Sequence, residues 1–157
     1  MDIEITKTIA ARPEQVFTAL TDAEELVRWF PTSADSEPRS GGAFEYRFEF
    51  EDAANDHTYG GTYEDVTPNE RVRFPWQGGI SPTTVEYALS PSGDGTDVTL
   101  RHSGWGEGAE WEQSRAMHEQ GWSFFLENLK GHVETGTDAR AGGPMGQKTR
   151  ARDVTLR

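Results

Sequence analysis

The longest stretch of a single hydrophobic period lies late in the chain, where Trp111, His118, Trp122, Phe125, Leu126, Leu129 and Val133 recur at helical spacing. This predicts a helix of about two dozen residues with one broad, aromatic-heavy face. At about 1.5 Å of rise per residue it spans on the order of 35 Å and needs an apolar partner of similar length. Gly121 falls inside the pattern at a cost of about 1 kcal/mol against Ala, so a neighbouring backbone or a ligand is expected to come close beside Trp122. At the other end, residues 2–9 alternate with Ile3, Ile5 and Ile9 apolar, as a strand does. Pro13 then starts a short helix carrying Val16, Phe17 and Leu20. Asp22 and Glu25 fit a capping box for a second one, with Leu26, Val27, Trp29 and Phe30, stopped by Pro31.

Between residues 43 and 104 the period is two. Phe44, Tyr46, Phe48 and Phe50 alternate with charged residues, which predicts one strand over 44–50 with a core face and a wet face. Further strands are expected at His57–Val66, Arg71–Trp76, Thr83–Ser90 and Thr96–Ser103, separated by turns, with a Gly- and Pro-rich loop over Gln77–Pro82. Short turns between neighbouring strands imply an antiparallel meander. The order of elements is that of an α+β fold in which a curved antiparallel sheet wraps a long C-terminal helix. One domain over 1–135 is expected. Residues 136–157 lose all periodicity and turn basic, with Arg140, Lys148, Arg150, Arg152 and Arg157 against Asp138 and Asp153. They read as a solvated, flexible polar tail or as a binding arm lying on the acidic body or on a second copy.

Composition narrows the partners. A net charge of −12 argues against a nucleic-acid backbone or an anionic membrane. Only three residues are lysine while Asp and Glu total 27, which suits either a salt-adapted protein or an ordinary acidic cytoplasmic one. With no cysteine there is no disulfide, thiolate chemistry or cysteine-held metal. The N-terminus lacks a secretory pattern and no apolar run reaches the roughly 18 residues of a membrane span, so a cytoplasmic location is expected. His57, His102, His118 and His132 show no ligand-pair spacing, and the Gly-Gly pairs lack the context of a phosphate loop, so no metal site and no cofactor are expected.

Specific stretches resemble a known family. Ala11-Arg-Pro-Glu-Gln-Val-Phe-Thr-Ala-Leu20, Leu26-Val-Arg-Trp-Phe30, Gly61-Thr-Tyr-Glu-Asp-Val66 with Pro68-Asn-Glu-Arg-Val72, and above all His118-Glu-Gln-Gly-Trp122 followed by Leu126 and Leu129 carry the likeness. Over residues 1–134 the chain resembles START-like (SRPBCC) proteins of the subgroup named after activators of the heat-shock protein 90 ATPase. The resemblance implies the helix-grip fold, with a cavity between sheet and helix that takes a hydrophobic small molecule in many members. It implies no fixed chemistry, since lipid carriers, hormone receptors, cyclases, dehydratases and co-chaperone domains share the fold. Pro75 departs from it, breaking a strand that the family usually leaves continuous.

Side chains expected to line that cavity are Trp29, Phe30, Phe44, Tyr46, Phe48, Tyr63, Trp76, Tyr87, His102, His118, Trp122 and Phe125. Tyr and Trp bury their polar tips comfortably only beside a partner, so this many around one interior suggest a partly polar cavity. His102 and His118 are the candidate catalytic pair, because imidazole moves protons near neutral pH. Each also has a plainer reading as a core-edge histidine bonded to backbone or carboxylate, and no nucleophile is spaced to complete a catalytic set. Three functions follow: binding of a hydrophobic small molecule, a cyclase- or dehydratase-type enzyme using His and Tyr, and a co-chaperone or protein-interaction module. A monomer or a homodimer serves any of them.

Overall fold

The computed structural model describes residues 1–77, 80–140 and 146–149. Gly78, Gly79, residues 141–145 and the chain from Arg150 lie outside the described residues, and with them Arg150, Arg152 and Arg157 of the tail. The elements run β1 (Ile3–Ile9), α1 (Pro13–Thr21), α2 (Ala23–Leu26), β2 (Ser33–Ser36), β3 (Ala43–Phe48), a 3-10 turn (Ala53–Asn55), β4 (His57–Thr62), β5 (Asp65–Thr67), β6 (Arg71–Trp76), β7 (Thr83–Ser92), β8 (Gly95–Ser103) and α3 (Ala109–Thr135). Five strands form one sheet in the order β1-β8-β7-β6-β5, and three form a second in the order β2-β3-β4. All paired strands are antiparallel. This is the α+β helix-grip architecture.

Several local expectations change. Asp22 caps α2 through the N–H of Glu24, 3.0 Å away, while Glu25 takes no part in a box and instead meets His132 at 2.8 Å. β2 is a strand without a hydrophobic period, Ser-Ala-Asp-Ser, held by its ladder to β3. The stretch His57–Val66 is two strands. Tyr63 still bonds Gly42, but the N–H of Glu64 donates to the Arg73 carbonyl, so the chain leaves β3 and joins β6. β3 ends at Phe48, and Phe50 instead bridges Gln147. Pro75 sits inside β6 opposite Thr84 without breaking it. Arg73, two residues earlier, aims its backbone at Glu64; by the alternation of a strand, Pro75 presents its missing N–H to that same side, beyond the end of β5.

The core gathers from both sheets and α3. Phe30 is its centre, with ring centroids 5.0 to 6.2 Å from Trp29, Tyr46, Phe48, Trp76, Trp122 and Phe125. The helix meets this core over only part of its length. Its buried residues are Trp122, Phe125, Leu126, Asn128 and Leu129, and nothing before Trp122 is buried. The first half overhangs the sheets. At its other end Gly136 adopts the left-handed conformation, φ 70°, and returns its N–H to His132.

Beyond the helix, two stretches read as solvated tail lie on the body. Arg140 is buried, its guanidinium donating to the carbonyls of Val27, Phe30 and Pro31 at 2.7 to 3.0 Å and to both oxygens of Asp138. Asn128 joins them, donating to Trp29 and Asp138 and accepting from the N–H of Ala139. Gln147 donates to the Phe30 carbonyl, and Lys148 continues with a backbone bond to Glu49. Composition does not distinguish this from disorder, because a buried Arg is justified by carbonyl partners brought from distant residues.

Candidate functional site

Where the overhanging half of α3 faces β3, β4 and β6, a cavity of about 210 Å³ opens. Phe30, Phe48, Phe50, His57, Tyr59, Trp76, Met117, His118, Gly121, Trp122 and Phe125 line it. Four of these, His57, Tyr59, Met117 and His118, also line a cleft of about 570 Å³ that adds Thr58, Gln77, Ile80, Glu110, Gln113 and Ser114. The deep part is nearly all ring, and the outer part mixes polar side chains with Tyr59, Ile80 and Met117. Alone, the deep part falls below the roughly 300–1,000 Å³ usual for a small-molecule site; with the cleft it falls within it.

Of the side chains expected there, Phe30, Phe48, Trp76, His118, Trp122 and Phe125 line the cavity, and Trp29, Phe44, Tyr46, Tyr63, Tyr87 and His102 do not. Trp29 is core, its Nε1–H donating to the Ala19 carbonyl. Phe44 packs between Tyr46, Tyr63 and Phe74. Tyr46 and Tyr63 belong to a directed chain. Ser36 donates to the Thr21 carbonyl at 2.6 Å, so it accepts from Tyr63, which accepts from Tyr46, both at 2.7 Å. Burial pushes the pKa values of both tyrosines up. Tyr87 is buried, and its hydroxyl and Trp76 Nε1 have no hydrogen-bond partner among the described residues.

The candidate catalytic pair separates. The rings of His102 and His118 lie 5.3 Å apart and nearly perpendicular, but their nitrogens have different fates. Trp122 Nε1–H donates to His102 Nδ1 at 3.0 Å, and an indole can only donate, so Nδ1 is unprotonated. Nε2 therefore carries the hydrogen and donates to Thr83 Oγ1 at 2.6 Å, which in turn donates to the Trp76 carbonyl. Burial, and then the neighbouring His118, lower the His102 pKa to about 3. With both nitrogens engaged, His102 is a joint between β7, β8 and α3 and has no free site for general acid or base work. His118 donates from Nδ1 to the Ser114 carbonyl at 2.8 Å, which leaves Nε2 without a partner among the described residues, and the residue lines both the cavity and the cleft. Burial lowers its pKa too, against the Ser114 bond and with help from His57.

The residues missed were Phe50, His57, Tyr59 and Met117. Tyr59 stacks on Trp76 at 3.8 Å, and His57 stacks on Phe48 and Phe50. Met117, Gly121 and Phe125 share one helical line at intervals of four, a signal that was there to read. Among the described residues no backbone comes within 4 Å of a Cβ built on Gly121, which meets nothing there. Among the described residues no group of three or more His, Asp or Glu is placed to hold a metal. None of their helices is long and apolar enough to cross a membrane.

The fold recurs among solved structures. The Aha1 dimer from Colwellia psychrerythraea matches with TM-score 0.72 at 23% identity, over 87% of this chain and 98% of that one. CalU16 from Micromonospora echinospora matches with TM-score 0.68 at 26% identity, over 86% and 74%. CV1439 from Chromobacterium violaceum matches with TM-score 0.71 at 25% identity, over 85% and 96%. No curated protein matches the sequence significantly. The family profile described as Activator of Hsp90 ATPase homolog 1-like protein matches residues 10–134, which hold every strand but β1 and nearly all of the long helix: the chain belongs to that family.

Proposed function

We propose that this protein binds a small hydrophobic molecule with a flat ring system in the cavity under the overhanging half of α3. The carrying observation is the lining: nine of its eleven residues bear an aromatic or imidazole ring, and ring faces and edges favour a flat aromatic guest. The exposed apolar surface points the same way. Among the described residues, the exposed large hydrophobics apart from Met1 are Ile80 and Met117, and both flank the cleft. Surface of that kind marks a binding mouth. A separate protein-docking patch, as the co-chaperone reading requires, would lie elsewhere. The enzyme reading loses its pair, because His102 is committed at both nitrogens. One copy of the chain supplies the whole lining.

Titration of intrinsic Trp fluorescence with aromatic probes tests the proposal, since Trp76 and Trp122 both line the cavity. Saturable quenching or a blue shift is expected with flat two-ring compounds. Fluorescence unchanged by every probe, with calorimetry equally silent, contradicts it. Turnover of an added ligand that vanishes in a folded His118→Ala variant would restore the enzyme reading.

A further inference from the structure

The ring-lined cavity says little about the polar end of its guest, but the hydrogen-bond arithmetic at His118 says more. A backbone carbonyl only accepts, so the 2.8 Å contact between His118 Nδ1 and the Ser114 carbonyl places the ring hydrogen on Nδ1. The neutral imidazole then presents Nε2 as a bare acceptor. Nδ1 is spent on the helix's own backbone one turn back, so Nε2 is the nitrogen that His118 has left to offer to the cavity and cleft it lines. It has no partner among the described residues and it is not sealed from solvent. Burial disfavours protonation of this ring, which keeps the acceptor an acceptor at neutral pH.

The charges around it reinforce this. Among the described residues neither the cavity nor the cleft has a lysine or arginine in its lining, while Glu110 stands on the cleft wall. The chain as a whole carries −12. An anionic guest would give up its hydration for an apolar wall, an acceptor, a carboxylate and only the neutral donors of Thr58, Gln77, Gln113 and Ser114, with no lysine or arginine of the lining to offset the loss. A neutral hydroxyl meets the opposite situation: it can donate to Nε2 while its ring system enters the cavity.

Resting on the small-molecule reading above, we propose that His118 is a specificity-determining residue, whose Nε2 selects neutral flat ligands bearing a hydroxyl donor, of phenol type, and that the site rejects the corresponding carboxylates.

Calorimetry at neutral pH with naphthol, naphthyl methyl ether and naphthoate separates the contributions, because the three share a ring system and differ in donor and charge. Naphthol is expected to bind about tenfold more tightly than the ether, the effect of one hydrogen bond, with naphthoate weakest. In His118→Phe the ratio of naphthol to ether affinity should fall to about one while ether binding persists. His118→Gln, which can offer an amide oxygen, should retain part of the ratio and keeps the test usable should the Phe variant fold poorly. Equal affinity for naphthol and ether in the unmodified protein, a ratio unchanged in both variants, or naphthoate as the tightest ligand overturns the proposal while leaving the cavity a binding site. Binding by none of the three overturns this proposal together with the reading on which it rests.

Discussion

His102 and Trp122 hold each other in one state, and that state makes a pH prediction. The folded His102 has a pKa near 3, whereas an unfolded histidine titrates near 6.5. Between those values the unfolded chain binds a proton that the folded one refuses, so stability rises with pH across that window and the contribution is complete above it. The slope due to this one group is at most about 1.4 kcal/mol per pH unit. Denaturant melts of the native protein and of His102→Gln should differ in slope over pH 3 to 6.5, the variant being flatter; parallel curves would contradict the assignment. Nitrogen NMR shifts should also report Nε2–H on His102 and Nδ1–H on His118. The sequence placed His102 and His118 on facing surfaces of strand and helix, but it does not show which imidazole nitrogens meet a partner. That depends on Trp122, Thr83 and Ser114 arriving from three elements. Periodicity likewise put Tyr46 and Tyr63 inward without separating core from cavity, since both kinds of site lie on the inner face of a strand. Tyr59 escaped because His-Thr-Tyr-Gly-Gly-Thr has no clean alternation.

At the scale of elements, α3 is two helices in function. From Trp122 onward it closes the core, and before it the helix stands over a cavity. The apolar stripe predicted its length and partner, whereas the point where packing ends depends on how far the sheets reach beneath it. A comparable distinction governs the segment after α3. Arg140 supplies donors to three carbonyls that follow α2, and one of them belongs to Phe30, the hub of the core. Burial alone would raise the Asp138 pKa, but Arg140 and Asn128 together hold it below the usual carboxylate range. Arg140→Met should therefore cost about 3–5 kcal/mol, because it removes the charge that pairs with half-buried Asp138 and takes the guanidinium donors from the Val27 and Pro31 carbonyls, Phe30 keeping only Gln147. Thermal unfolding measures it; a loss under about 1 kcal/mol would show that this segment contributes little. Nothing in its composition signalled this, because Gly-, Thr- and Arg-rich chain reads as solvated until its partners are in view.

For the whole molecule, charge and cavity set the behaviour. The surface carries −12 against ion pairs that are mostly exposed, such as Lys7 with Glu127 and Arg47 with Glu45. Such pairs contribute little, while repulsion among unpaired carboxylates acts over the Debye length of about 10 Å at 0.1 M salt. Thermal midpoints should therefore rise as salt increases from low to molar. A falling midpoint would mean that the exposed pairs outweigh the repulsion. The fold itself was legible because helix and strand periods change sharply along the chain and the turns between strands are short. The cavity was half legible, because its rings were visible but its walls come from elements far apart in sequence.

The central claim is that the space beside Gly121 is a binding site, and it can be tested by filling it. A Cβ at this position meets no described atom within 4 Å, and replacing Gly inside a helix removes a cost of about 1 kcal/mol. Gly121→Leu should therefore fold with equal or greater stability while its affinity for naphthol, read by calorimetry, falls at least about tenfold as the added side chain occupies the cavity. Unchanged naphthol affinity in the stably folded Gly121→Leu protein would contradict the account.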